Sequence, residues 1–296
     1  MTEFLQQLIN GLSLGAIYAL IALGYTMVYG VLRFINFAHS DVFMVGAFAG
    51  FYLSKLFPQQ SIICGLLVLA GAMVICAALG ITIERLAYRP LRNRSKLNVL
   101  ITAIGVSLLL ENAGQFFFGA NPKAYPLLFP VKTLSLGGVV VSSTQLAVYI
   151  VTIVVLVSLR FIVMRTKIGT AMRALSFNPL AASLVGINQD VVISFTFGIG
   201  SALAAAGGIL YSLNYPAIDP LMGVLPGLKA FVAAVLGGIG NIPGAALGGL
   251  LLGIIESFFN GTRWSTWTDA IAFTLLILIL LFRPAGLLGS NHVEKV

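Results

Sequence analysis

Long apolar runs are the feature that most restricts the fold of this chain. Of its 296 residues, 59% are hydrophobic and only 9% are charged, whereas soluble domains carry roughly 25% charged residues. Several runs approach or exceed the ~20 apolar residues that cross a bilayer as a helix. The sequence therefore predicts an all-α polytopic membrane protein in which residues 1–296 form one transmembrane domain.

The spacing of these runs predicts about eight membrane helices, one of which is a broken pair. The predicted spans are Leu5–Val31, Val42–Phe57, Ile62–Ile83, Val99–Phe118, Gln145–Met164, Val191–Leu213, the pair Leu228–Gly240 and Ala245–Phe259, and Ala270–Phe282. Each half of the pair within 228–259 is short for a full crossing. Proline and clustered glycine separate the halves and end helices, so we expect a re-entrant hairpin or two short, tilted helices.

The distribution of Lys and Arg predicts the orientation in the membrane. Basic residues concentrate in the connections after the third and fifth spans: Arg85, Arg89, Arg92, Arg94, Lys96, Arg165, Lys167 and Arg173. The 119–144 loop between these spans carries only Lys123 and Lys132. Short loops rich in Lys and Arg face the cytoplasm, which places the N-terminus outside. The tail 283–296 is cytoplasmic if the broken pair enters and leaves on one side.

Motifs for catalysis and nucleotide binding are missing. The chain has no G-x-x-x-x-G-K-[ST] phosphate loop, no H-E-x-x-H and no G-x-S-x-G. Its two histidines are His39 and His292, and its two cysteines lie in one apolar run. We therefore expect neither an enzyme nor a metal or cofactor site in this chain. The net charge of +8 comes largely from two short loops, so nucleic-acid binding is not expected.

Residues 165–190 form the most amphipathic connection in the chain. Apolar residues recur there at helical spacing, at Ile168, Met172, Leu175, Leu180, Leu184 and Ile187. The pattern is interrupted at Asn178-Pro179, a combination that is typical of a helix start. Two short cytoplasmic helices are predicted. Such helices either rest on lipid or form a platform on which a soluble partner pushes, and the spacing leaves both open.

Within this segment, Leu180-Ala181-Ala182-Ser183-Leu184-Val185-Gly186 resembles the E-A-A-x-x-x-G loop by which ABC importer permeases engage their ATPase subunits. Leu180 stands where that pattern has Glu. The chain is similar to the branched-chain amino acid permeases, and to their H-type subunit in particular, nearly end to end. Further blocks that carry this resemblance are Ser13–Leu20, Ile35–His39, Ile83–Pro90 and Ala234–Gly244.

The resemblance implies a type II-like ABC importer permease in a bacterial inner membrane, with leucine, isoleucine and valine as substrates. It implies a related second permease (a homodimer being the alternative), two ATPase subunits that bind ATP and Mg, and a periplasmic binding protein. By analogy, Ala181, Ala182 and Gly186 belong to the coupling surface. We add Arg173 and Asn178 as polar groups of the same segment.

Polar residues within apolar stretches, together with the break that begins at Gly240, are candidates for the substrate pathway. They are Asn36, His39, Glu111, Asn112, Gly240 and Asn241. Structural alternatives remain for each: Ser40 or Asp41 makes a good N-cap for the second span, Glu111 could lie near the outer edge, and glycines allow tight helix packing. An ion-coupled secondary transporter is the alternative function. It would need buried carboxylates on facing helices, and only Glu111 and Glu256, which is expected near the outer rim, qualify.

Overall fold

A computed structural model describes residues 2–57, 59–92 and 94–289 of the chain. The α-helices in these ranges are α1 (Thr2–Leu32), α2 (His39–Leu56), α3 (Ile62–Ile83), α4 (Lys96–Phe118), α5 (Ser143–Arg165), α6 (Lys167–Phe177), α7 (Pro179–Leu184), α8 (Gln189–Asn214), α9 (Val224–Gly237), α10 (Ile242–Asn260) and α11 (Thr268–Phe282). A π-helical turn, Glu84–Tyr88, and a 3₁₀ turn, Arg89–Leu91, extend α3.

Seven helices in the described ranges are long and apolar enough to cross a membrane: α1, α3 with its extension, α4, α5, α8, α10 and α11 with the 3₁₀ turn before it. The predicted all-α polytopic fold is therefore confirmed. The strands are short, with β1 (Lys123–Ala124) pairing with β4 (Ala217–Ile218) and β2 (Thr133–Leu136) forming a hairpin with β3 (Val139–Ser142).

The centre of the bundle is formed by α1 and α8, whose spans are almost fully buried, while α4 and α11 lie at the periphery. Close contact between α1 and α10 depends on glycine: a Cβ atom on Gly15 would lie 2.7 Å from the Cα of Leu250. Small residues allow helix backbones to approach this closely, which is how helices pack in membranes. The peripheral helices instead leave large apolar side chains exposed, as lipid or another chain requires.

Side-chain contacts show which segments share an end of the bundle. Arg33, just after α1, donates a hydrogen bond to the carbonyl of Ser176 in α6 at 3.3 Å. Asn241, just before α10, donates to the carbonyl of Leu288 at 2.6 Å. Arg89 and Arg92 pair with Asp190 at the start of α8. The arginine-rich connections, α6, α7 and the residues after α11 therefore lie together, at what we call the basic end.

This arrangement agrees with the parity of the predicted spans. Residues 214–260 start at the end of the bundle that lies opposite the basic end, which we call the opposite end. They reach the basic end between α9 and α10. The chain then returns as α10 alongside α1, where Gly253 and Gly15 are in contact. The residues after α11 then lie at the basic end, as predicted for a broken pair that enters and leaves on one side. The rest of the tail, residues 290–296 with His292, lies outside the described residues.

The break between α9 and α10 differs from the prediction. Pro243 lies in the first turn of α10, where its missing N–H is not needed. The side chain of Asn241 accepts a hydrogen bond from the backbone N–H of Gly244 at 3.2 Å, as an N-cap. The second half is thus a helix of 19 residues that is long enough to cross, so the prediction that this half is short was wrong, whereas α9 has only 14 residues. The break lies at the basic end and not at membrane depth.

Irregular backbone at depth occurs before α2 and before α9 instead. The hydroxyl of Ser107, near the middle of α4, donates to Asp41 in the first turn of α2 at 2.5 Å. Side chains placed at Gly223 or Gly227 of the α9 start would collide with Ser40. Both helices therefore begin inside the bundle, and the start of α2 passes over the start of α9 there. Non-helical backbone at membrane depth is tolerated only where protein buries it or where it lines a cavity.

The predicted N-cap of the second span was also wrong. α2 begins at His39, its N-cap position is Ala38, and no side chain caps it. Ser40 and Asp41 lie within the helix, where Ser40 donates to the carbonyl of Phe37 at 2.9 Å. The start of α2 is stabilised by the surrounding helices, so a local capping signal was the wrong guide.

Candidate functional site

Residues 166–187 form two short helices at the basic end, as the sequence predicted. Thr166 caps α6 by accepting a hydrogen bond from the N–H of Gly169 at 3.1 Å. Asn178 ends α6 and caps α7, accepting from the N–H of Ala181 at 3.0 Å. Pro179 occupies the first turn of α7, where its fixed φ favours the helix. We call α6 and α7 together the platform.

The apolar residues of the platform divide into two groups. Met172 and Leu175 of α6 are buried against the bundle. Leu180 and Leu184 of α7 are 71% and 81% exposed, and Phe177 beside them is also 81% exposed. The helical spacing of apolar residues in the sequence does not separate these two groups, because it assigns the buried and the exposed positions to one apolar stripe. Because large apolar side chains gathered on a surface mark interaction sites, we take α7 as the contact surface of the platform.

The Ala-Ala-x-x-x-Gly pattern corresponds to a short helix with a glycine stop. The N–H of Ile187 donates to the carbonyl of Ala182 at 3.1 Å and the N–H of Gly186 donates to the carbonyl of Ser183 at 3.0 Å. Gly186 has a φ of +83°, which an L side chain rarely adopts. Ala182 lies on the buried side of α7, whereas Ala181 is exposed. Of the predicted coupling residues, Ala181 and Gly186 are thus accessible and Ala182 supports them.

Arg173 and Asn178 have partners within the chain. The Arg173 guanidinium donates to the carbonyl of Val163 at 2.8 Å and contacts the sulfur of Met164 at 3.3 Å. It therefore satisfies a carbonyl of the last turn of α5, which has no partner within its own helix, and braces the α5–α6 corner. Asn178 uses its side chain as a cap. Both residues therefore shape the platform.

A charge cluster around the buried Glu84 links α8 to the extension of α3. Asp190, in the first turn of α8, pairs with Arg92 at 2.6 Å and with Arg89. Arg92 also pairs with Glu84, which is fully buried and accepts a hydrogen bond from Ser194 at 2.5 Å. In the sequence these arginines served only as a signal of orientation. Asp190 is 101 residues away from Arg89 and 98 from Arg92, so no local pattern marked the contact with α8.

The predicted pathway residues do not form one site. Asn36 is buried and accepts a hydrogen bond from the hydroxyl of Tyr88 at 2.6 Å, and the ring of buried His39 lies 4.6 Å from that of Tyr25. Glu111 is half-buried, on the α4 face that also carries Ser107. Asn112 is exposed and donates to its own helix, at the carbonyl of Leu108.

Gly240 and Asn241 lie apart from these groups, at the basic end. The backbone of Gly240 approaches Gly30, near the end of α1, and Asn241 is engaged by Gly244 and Leu288. A pathway role was predicted for these residues from a break at membrane depth, but the break lies at the basic end.

A second buried charge cluster was missed altogether. Lys229 of α9 donates to Glu256 of α10 and to Asp269 of α11, each at 2.6 Å. The hydroxyl of Tyr18 in α1 donates to Glu256 at 2.9 Å. Lys229 and Glu256 are each only 7% exposed, and Glu256 lies about one turn before the end of α10, toward the opposite end. A single Lys within the apolar run Val224–Gly237 was the available signal, because charged residues inside membrane segments are costly and rarely unpaired.

The opposite end contains a polar cavity of about 360 Å³. Its lining is uncharged and consists mainly of amides and hydroxyls, from Gln7, Asn10, Ser13, Leu14, Gln145, Asn214, Tyr215, Ser257 and Asn260. Hydrogen bonds already connect several of them, as from Gln145 to Asn10 at 3.0 Å. The cavity therefore offers polar contacts without fixed charge.

Three features define a multi-pass membrane protein of the permease type. Helices begin within the bundle, charged clusters are paired inside it, and a platform with an apolar face lies at one end. The family model described as "Branched-chain amino acid transport system / permease component" matches residues 7–280. The chain therefore belongs to the family of branched-chain amino acid transport permeases.

Several relatives span almost the whole chain. The chain is 45% identical to the high-affinity branched-chain amino acid transport system permease protein BraD of Pseudomonas aeruginosa, over 99% of this chain and 98% of that protein. Its identity to the permease protein LivH of the corresponding system of Escherichia coli K12 is 44%, with the same coverage. A probable LivH of Methanocaldococcus jannaschii is 30% identical over 92% of this chain and 88% of that protein.

A solved structure described as PsaBC from Streptococcus pneumoniae in complex with Fab has a similar fold. The TM-score is 0.50 with 14% sequence identity, and the match covers 95% of this chain and 92% of that chain. At this identity the likeness supports the fold alone.

Proposed function

We propose that this chain is the membrane permease subunit of an ATP-driven ABC importer for branched-chain amino acids. The observation that carries the proposal is the apolar face of α7, where Leu180 and Leu184 are exposed at the basic end beside Phe177, the last residue of α6. The relatives at 45% and 44% identity are described as permease proteins of high-affinity branched-chain amino acid transport systems. The substrates are therefore leucine, isoleucine and valine.

The force for transport comes from partners. Two ATPase subunits bind ATP and Mg, and each of them binds α7 of one permease subunit. Leu180 stands in place of the Glu of the usual pattern, so the contact relies on apolar burial and not on a salt bridge. Fully burying a leucine side chain contributes about 1.5–3 kcal/mol. Two such side chains on six residues make α7 a sufficient anchor.

The orientation follows from the basic end. The excess of Lys and Arg at this end supports a position on the cytoplasmic side of a bacterial inner membrane, where α7 meets the ATPases. A periplasmic binding protein delivers the amino acid to the opposite end, and a related second permease completes the membrane part. A homodimer of this chain is the alternative assembly.

The polar cavity at the opposite end suits the passage of a zwitterion. Amides such as Asn10 and Asn214, and hydroxyls such as Ser13, hydrogen-bond both the ammonium and the carboxylate of an amino acid. None of them holds a fixed charge, so the substrate binds weakly there and moves on. Tight binding is left to the binding protein.

The comparisons give no support to an ion-coupled secondary transporter. Two of the buried carboxylates, those of Glu84 and Glu256, are already paired with Arg92 and Lys229. A paired carboxylate is a poor carrier of a coupling ion, because releasing its partner leaves a buried charge.

The proposal is tested by reconstituting the chain with its second permease, ATPases and binding protein in proteoliposomes. Leucine uptake is expected to stop on ATP depletion and to persist when the proton gradient is collapsed; the reverse result contradicts the proposal. Leu184→Asp should weaken retention of the ATPase subunits at least tenfold, which is about 1.4 kcal/mol. The matched control is Leu134→Asp, at an exposed leucine of β2 at the opposite end, and it should retain them.

A further inference from the structure

We infer that the π-helical turn Glu84–Tyr88 transmits movement of α7 to the point where α2 and α9 begin inside the bundle. Glu84, Tyr88 and Asp190 act as positioning residues in this transmission and touch no substrate. The inference rests on the proposed function, in which a partner moves α7. Three sets of contacts between the described residues carry it, each of which joins one element to the next.

The first contact joins α7 to α8. The side-chain amide of Gln189, at the start of α8, donates to the carbonyl of Pro179, at the start of α7, at 2.9 Å. Asn188 caps α8 by accepting from the N–H groups of Asp190 and Val191. Only residues 185–188 separate the two helices, so a displacement of α7 is carried into the first turn of α8.

The second contact joins that turn to the π-helical turn. Asp190 pairs with Arg89 and Arg92, and Arg92 pairs with Glu84, which also accepts from Ser194. Glu84 is fully buried. Charge-assisted hydrogen bonds are strong and directional, and the one that Glu84 accepts from Ser194 of α8 is buried. The two elements are therefore held to move together.

The third contact joins the π-helical turn to α2. The hydroxyl of Tyr88 donates to the side-chain oxygen of Asn36 at 2.6 Å, and both residues are buried. The Tyr88 ring is also 5.4 Å from the rings of Phe34 and Phe197. Asn36 lies in the irregular segment that leads into α2, whose Ser40 contacts the start of α9. π-Helical turns are rare in proteins, and those that occur are often found at functional sites.

The test uses the complete transporter in proteoliposomes and measures both uptake and ATP hydrolysis. Tyr88→Phe removes one hydroxyl and keeps the buried ring, and Asp190→Asn removes the charge that faces two arginines. Each variant should hydrolyse ATP at near the wild-type rate and import at least tenfold less leucine per ATP. The matched controls are Tyr149→Phe and Glu3→Gln at the opposite end, and they should keep the wild-type ratio.

Combining the two substitutions separates transmission from simple weakening of the fold. If Tyr88 and Asp190 belong to one chain of contacts, the double variant should lose no more coupling than the worse single variant, because their effects are not additive. Losses that multiply, or a wild-type ratio in Tyr88→Phe, would overturn the inference. Should Asp190→Asn fail to assemble, Tyr88→Phe decides alone. Absence of ATP-driven uptake in the wild type would instead refute the proposed function.

Discussion

Replacing Lys229 with Met tests how the charged cluster supports the half-length helix α9. Met keeps the length of the side chain and removes its charge, which leaves the carboxylate of Glu256 buried without a cation. Removing one partner of a buried ion pair costs about 3–5 kcal/mol. At roughly 2 °C for each kcal/mol in a chain of this size, the melting temperature should fall by about 6–10 °C.

Two further variants make this prediction specific. Asp269 is paired with the same Lys229, but its side chain is 50% exposed, so Asp269→Asn should cost only about 0–1 kcal/mol. In Lys229→Met/Glu256→Gln, the stranded charge is gone and the amide oxygen still accepts from Tyr18, so much of the lost stability should return. The assay is thermal unfolding of the purified subunit in detergent. Equal losses in Lys229→Met and Asp269→Asn, or no recovery in the double variant, would refute the reasoning.

Two other substitutions test local structure. Asn178→Ala removes the N-cap of α7 and should destabilise that helix by about 1 kcal/mol, which is measured as faster amide hydrogen exchange in α7. The control, Asn178→Asp, retains a capping oxygen and should exchange more slowly. Equal exchange rates in the two variants would argue against the cap. Gly253→Val drives a side chain into the backbone of Gly15 and should prevent stable folding. The control, Gly105→Val, meets open space on α4 and should be tolerated. A fold that survives both changes would show that α1 and α10 are not tightly packed.

Features governed by neighbouring residues could be predicted from the sequence. The third span, Ile62–Ile83, has the bounds that were expected, because an unbroken apolar run dictates a helix. The two platform helices and their junction at Asn178 were also found, because capping and proline act within a few residues. The break before α10 was recognised as well, but its depth was not, since Asn-x-Pro marks a helix start equally well at a surface and inside a bundle.

Features that depend on distant parts of the chain could not be predicted. Lys229 and Glu256 are 27 residues apart, and Tyr88 and Asn36 are 52 apart. The depth at which α2 begins depends on α4 and α9, which surround it, and not on a cap of its own. The π-helical turn Glu84–Tyr88 has an ordinary helical sequence, so its departure from α-helical geometry is visible only in the structure.

The exposure of the platform remains the central point, because a motor can act only on a surface that it can reach. The most direct measurement is labelling of Ala181→Cys by a membrane-impermeant maleimide, in a Cys64→Ser background, with Lys132→Cys as the control at the opposite end. We predict that Ala181→Cys is labelled in inside-out vesicles and protected by bound ATPase subunits, while Lys132→Cys is labelled only in right-side-out vesicles. Labelling of Ala181→Cys only in right-side-out vesicles would contradict the account.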